Sequence, residues 1–150
     1  MQLDDLVVYK SANYLSEVIW QIVQKWNHFE KQTVGIQLID AIDIVAANLA
    51  EGFGRNHFNE NRHFCYYARG SLFEAKCWLK KAYSRKFIDE NNYQKISTDL
   101  EKLAVKINNY INTIGQQAHE LSAEYNINTG IGLSENPDPS ETSQAFDNKQ

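Results

Sequence analysis

Cysteine, proline and methionine are scarce in this chain, at two, two and one in 150 residues. Cys65 and Cys77 fall in one helix-patterned segment, roughly 18 Å apart at ~1.5 Å rise per residue, too far for a disulfide. They also lack the CxxC spacing of a metal or redox motif, so two free packing thiols are expected. Both prolines stand in residues 126–150, a segment with few large apolar side chains that cannot offset its ordering entropy by burial. Asp, Lys, Asn or Gln interrupts the helix-patterned segments every few residues, so no membrane span of ~20 apolar residues is expected. MQLDDLVVYK has two aspartates where a signal peptide would be basic. A cytoplasmic protein with no membrane partner is the expectation. G-x-S-x-G, HExxH and P-loop patterns are missing as well, which leaves hydrolase and nucleotide-enzyme chemistry without its usual starting point.

What is present is helical periodicity. Tyr93, Ile96, Leu100, Leu103, Ile107, Tyr110 and Ile114 recur at three and four, with Asp89 as N-cap and Gly115 as terminator. Leu15, Val18, Ile19, Ile22, Val23 and Trp26 mark a helix from about Asp4 to Asn27. Leu38, Ile42, Val45 and Leu49 mark another from about Thr33 to Glu51. A further helix begins near His57, ends near Lys86, and buries Phe64, Ala68, Ser71, Ala75, Trp78, Leu79 and Ala82. No stretch argues for a strand. Short connections force neighbouring helices to run in opposite directions. The fold class is therefore all-α: an antiparallel up-and-down four-helix bundle over residues 1–118, followed by a polar, acidic and disordered tail, 119–150.

NLAEGFGRN, Asn48 to Asn56, poses the main question of chemistry. A dinucleotide fingerprint needs a strand before its glycines and a third glycine after them, and neither is here. The corner between two helices is the better reading, with Gly52 or Gly54 left-handed at a helix end and Asn56 capping the next helix. Glu51 and Arg55 stand at i, i+4. With Glu74 from the neighbouring helix they could tie the corner to the bundle by charge-assisted hydrogen bonds, or form a partner site. Asp40 and Asp43 share a helix face but accompany no nucleophile or metal motif, so they read as surface or interface acids.

Other side chains form patterns of their own. His57, Glu60 and His63 spell HxxExxH, but a di-iron bundle needs a second ExxH, and His57 and His63 point about 120° apart on one helix. No metal, no cofactor and no catalytic residue are expected. The alternative is a metal-dependent enzyme whose site at Glu60 and His63 is completed across a subunit interface. The net charge of -4 hides an asymmetry, because Arg55 to Lys86 hold eight cations against Glu60 and Glu74. Within that segment Arg62, Tyr66, Arg69, Phe73, Lys76 and Lys80 recur at four and three, away from the apolar face. Alternating rings and cations suit unpaired RNA bases with their phosphates, a subunit interface, or plain solvent. Gly70 and Ser71 between them would let another helix approach closely, which favours self-association.

NLAEGFGR, then FCYYARGSLFEA, then KFID, with LVVYK and IQLIDA before them, resembles the four-helix bundle proteins encoded in intervening sequences of 23S ribosomal RNA genes. The likeness spans roughly Leu3 to Gln117 and is most specific at Asn48, Ala50, Glu51, Gly52, Arg55, Ala68, Gly70, Ser71 and Glu74. It implies a four-helix bundle assembled as a ring-shaped homopentamer, with a poorly defined molecular function. Asp40, Ile44 and Ala46 depart from the basic residue, serine and proline common there in the family. The resulting expectation is a non-enzymatic homopentameric scaffold for itself and for an RNA or protein partner.

Overall fold

The structure, a computed structural model, describes residues 1–55 and 57–129. Residues Met1–Ala118 form one compact unit, and His119–Gln150 a second that is described only as far as Thr129. Four helices make up the described residues: α1 (Val7–Val23), α2 (His28–Phe53), α3 (Phe58–Ser84) and α4 (Glu90–Thr129), with a short 3-10 turn at Leu3–Asp5 and no strand among them.

Each helix buries one face. Ala12, Leu15 and Ile19 of α1, Leu38, Ile42, Val45 and Leu49 of α2, and Leu100, Leu103 and Ile107 of α4 meet in one core. From α3 come Cys65, Ala68, Leu72, Ala75, Leu79 and Ala82, at alternating spacings of three and four. The contacts fix the direction of the chain. Asn61 meets Tyr110, Arg69 meets Asn108, Lys76 meets Glu101 and Tyr83 stacks on Tyr93, so α3 and α4 are antiparallel. The Ser16 hydroxyl donates to Asp43, and Val23 lies against Gly35, which sets α1 antiparallel to α2. Trp26 and Phe87 meet edge to face at 5.8 Å and close one end of the bundle.

Several boundaries differ from those read in the sequence. α2 starts at His28 because Asn27 and Glu30 form a reciprocal capping box: the Glu30 amide donates to Asn27 Oδ1 at 2.9 Å and the Asn27 amide to Glu30 Oε2 at 3.1 Å. A π turn at Lys31–Gly35 then feeds Val34 and Gly35 into the core. This helix is long and apolar enough to cross a membrane by length and composition, contrary to the sequence expectation, although 44% of its most apolar window is buried in the bundle. Asp40 and Asp43 interrupt its pattern without making its average polar.

Gly115 does not terminate α4. HELSAEYNINT carries neither glycine nor proline, and extending an existing helix costs less than starting one, so residues 119–129 are helical rather than disordered. The expected disorder of 130–150 lies outside the described residues. Asp89 caps α4 as expected, accepting from the Asn92 amide at 2.8 Å, and this bond holds its carboxyl below the usual range.

The two sharp corners use the backbone differently. Gly54 closes α2 at φ -71, so no left-handed glycine is involved. Gly52 is needed for space instead, since a Cβ there would lie 2.8 Å from Asn61 Oδ1 and 2.9 Å from Phe64 Cβ. The left-handed residue is Lys86, at φ 61. There the Phe87 amide donates to the Ala82 carbonyl at 2.8 Å and the Lys86 amide to Tyr83 at 3.0 Å, a Schellman ending for α3. Asn56, expected as a cap, lies outside the described residues; His57 occupies the N-cap of α3 and makes no side-chain cap bond.

Candidate functional site

The buried seam of α3 is rotated slightly from the sequence expectation. Cys65, Leu72 and Leu79 take its centre, while Phe64, Ser71 and Trp78 are only half-buried at its edge. Side chains fitting between α2 and α4 must be small, and Ala68, Ala75 and Ala82 alternate with the larger ones. The rotation splits the basic-aromatic stripe into two rows.

Arg62, Arg69 and Lys76 form the inner row and lean on α4. Lys76 Nζ lies 2.7 Å from Glu101 Oε1, and Arg69 donates to Asn108 Oδ1 at 3.2 Å. Arg62 lies across Gly115, where its guanidinium carbon would be 3.6 Å from a Cβ. It donates to the Tyr66 hydroxyl at 3.4 Å, and its buried Nε has no partner among the described residues.

Tyr66, Phe73 and Lys80 form the outer row and are exposed, the two rings at 40% and 59%. Arg69 sits 4.9 Å over the Tyr66 ring and Lys76 4.9 Å over Phe73, so each ring is held from below by a cation already anchored to α4. Gly70 lies on the outer surface, and a Cβ there would meet nothing within 4 Å. No contact inside the described residues explains a glycine in mid-helix, where it costs about 1 kcal/mol relative to alanine.

The glycine corner holds part of what was expected of it. Arg55 bonds Glu51 at 2.7 Å, with both side chains about half exposed, and its guanidinium lies 5.0 Å over the Phe64 ring. Glu74 is not part of that network: its carboxylate accepts from Trp78 Nε1 at 3.5 Å, one turn along its own helix. Asn48 likewise bonds its own helix, donating to the Ile44 carbonyl at 3.0 Å. Ser71 is half-buried on the opposite flank of α3 from the stripe. Below the corner, Asn61 donates to the Tyr110 hydroxyl at 3.2 Å; Tyr110 packs half-buried against the core and its neighbour Ile111 is buried. Burial raises the Tyr110 pKa against the pull of that bond.

Glu60 and His63 are exposed near the start of α3, with the His63 ring edge-to-face on Tyr67 at 6.0 Å. No three side chains of His, Cys, Asp or Glu converge among the described residues, so a metal site there would need ligands from another copy. Cys65 and Cys77 are both free thiols, the first buried and the second exposed.

Sequence reading missed two features. A nearly apolar groove of about 260 Å³ lies between α1 and α2, flanked by Trp20, Val23, Ile36 and Ile39. Trp20, Ile36 and Ile44 are each more than 40% exposed. Their signal in the sequence is that they fall off the buried periodicity of helices already assigned. The second is a cleft of mixed lining between α1 and α4, which unites residues some 90 positions apart and carries no local signal.

Comparison with known proteins agrees with this architecture. Residues 4–109 match the family described as 23S rRNA-intervening sequence protein. The chain belongs to that family. Among solved structures it is similar to a protein of unknown function from the S23 ribosomal protein family of Bacteroides thetaiotaomicron. The TM-score is 0.63 at 15% identity, covering 70% of this chain and 98% of that one, a likeness of fold alone. A search of curated proteins finds no match. The family match takes in the glycine corner and all of α3 with its two rows.

Proposed function

We propose that the protein is a non-enzymatic, homo-oligomeric binding scaffold of the cytoplasm, a ring of five copies whose contacts use the outer row of α3. The observation that carries this reading is Gly70. An exposed glycine in mid-helix, between Tyr66 and Phe73 and facing open space, costs stability in a single copy. It becomes useful where another helix must approach closely. Ring closure requires two different faces on each copy, because a head-to-tail contact pairs unlike surfaces. The groove beside Trp20 and Ile36 supplies an apolar second face, with Asp40 nearby on α2 as a countercharge for Lys80.

The partner carried by the scaffold is an RNA or a protein. The stripe's own bonds favour protein contacts on this face, since Arg69 and Lys76 already meet acceptors on α4. Light scattering on the purified chain tests the scaffold reading. A mass several times 17.3 kDa at micromolar concentration is expected, and a monomer contradicts it.

A further inference from the structure

The cleft between α1 and α4 has a volume of about 380 Å³, within the range of small-molecule sites, and a mixed lining. Leu15 and Leu103 form its floor, Tyr14 is an exposed wall, and Lys10, Ser11, Asp99 and Lys106 supply its polar groups. Lys106 is placed by a bond, while Lys10 is exposed at the rim. Ser11 donates its hydroxyl proton to the Val7 carbonyl at 2.9 Å, which leaves its oxygen to accept from Lys106 Nζ at 2.6 Å. Lys106 therefore keeps two further N–H donors in a fixed position.

Charge distinguishes this cleft from the α3 stripe. Ion pairs among the described residues join Arg55 to Glu51, Lys76 to Glu101 and Lys102 to Asp99, and neither Lys10 nor Lys106 takes part in one. Two ammonium groups without a carboxylate partner share one recess, and the nearest acid in its lining, Asp99, already has Lys102 at 3.8 Å. Such a recess favours a doubly charged anion, and a phosphate ester meets two lysines better than a carboxylate does. Tyr14, 63% exposed, offers a ring face to a planar group, and Asp99 can accept from an amino or hydroxyl group.

We infer that the α1–α4 cleft is a binding site for a nucleoside monophosphate, with its phosphate between Lys10 and Lys106, its base against Tyr14 and an exocyclic or sugar donor on Asp99. The inference does not depend on how copies associate. Titration calorimetry of the full chain with adenosine 5′-monophosphate tests it, with adenosine and inorganic phosphate as partial probes. The expected result is saturable binding of the monophosphate that weakens as salt rises. Adenosine and phosphate should each bind at least tenfold more weakly. Lys106→Gln and Lys10→Gln should each reduce affinity about tenfold with helicity unchanged. Ser11→Ala, which frees the Lys106 ammonium from its tether, should reduce it by a smaller factor. No binding up to millimolar concentration overturns the site, as does binding that Lys106→Gln leaves intact. Phosphate binding as tightly as the monophosphate overturns the nucleotide class.

Discussion

The two faces of α3 invert the usual order of side-chain size. Its inner face carries alanine, cysteine and leucine, and its outer face carries Tyr66, Tyr67 and Phe73, the largest apolar side chains in the middle of the helix. A helix that served only the monomer would put its rings inside, where burying one contributes about 1.5–3 kcal/mol. Here the interior is filled by α2 and α4 packed close against small residues, and Tyr66 and Phe73 are held in place on the outside by Arg69 and Lys76. Cations anchored to α4 thus order exposed rings before any partner arrives, which lowers the entropy an interface must overcome. On the proposed reading the two faces answer to different molecules: the inner one to this chain, the outer one to another copy.

The largest expected effect comes from breaking the inner face. Leu72→Ala leaves a cavity at a fully buried position, and should cost about 2–5 kcal/mol, read as a lowered midpoint in urea denaturation. A loss below about 1 kcal/mol would show that α3 is not packed as described.

The two cysteines sharpen the same comparison, because they label the two faces. Burial pushes the Cys65 thiol up to about 11, while Cys77 is exposed one turn beyond Phe73. A shift of that size leaves roughly a hundredfold less thiolate at neutral pH, before any steric protection. In the Tyr66→Asp, Phe73→Asp double variant, Cys77 should react promptly with a thiol reagent and Cys65 only on unfolding. In the wild type the proposed assembly should slow Cys77 as well, and equal Cys77 rates in both proteins would place it outside the proposed interface.

The smallest effect is expected from the cation that joins the faces. Lys76→Ala removes a partly exposed pair with Glu101 and the support beneath Phe73, and should cost no more than about 1 kcal/mol in stability. A loss above about 2 kcal/mol would make the inner row structural in its own right.

Much of this architecture was legible in the sequence, because burial of one face imposes a period that residue types must follow. Leu38, Ile42, Val45 and Leu49, or Ile96, Leu100, Leu103 and Ile107, could hardly be arranged otherwise. The rotation of α3 was harder to read. Phe64 and Trp78 are more apolar than Cys65 and Ala75, yet helix spacing admits only the smaller ones at the centre. Gly52 and Gly54 read as left-handed because glycine is the usual residue there, whereas the left-handed position fell to Lys86 and Gly52 answered a steric need across the corner. The start of α2 was visible in Asn27 and Glu30, a capping box overlooked in favour of the apolar run. The α1–α4 cleft could not be read at all, since Ser11 and Lys106 meet only once the chain has folded.

The most direct test of the central claim is the solution mass of two proteins measured side by side by light scattering, the wild type and the Tyr66→Asp, Phe73→Asp double variant, each checked for helicity. The outer face of α3, on this account, holds copies together and contributes little to the fold. The wild type should then scatter as a ring of five, and the variant should be a monomer near 17.3 kDa with its helical signal intact. A variant that keeps the mass of the wild type would contradict the account, because the exposed rings beside Gly70 would then serve something other than assembly.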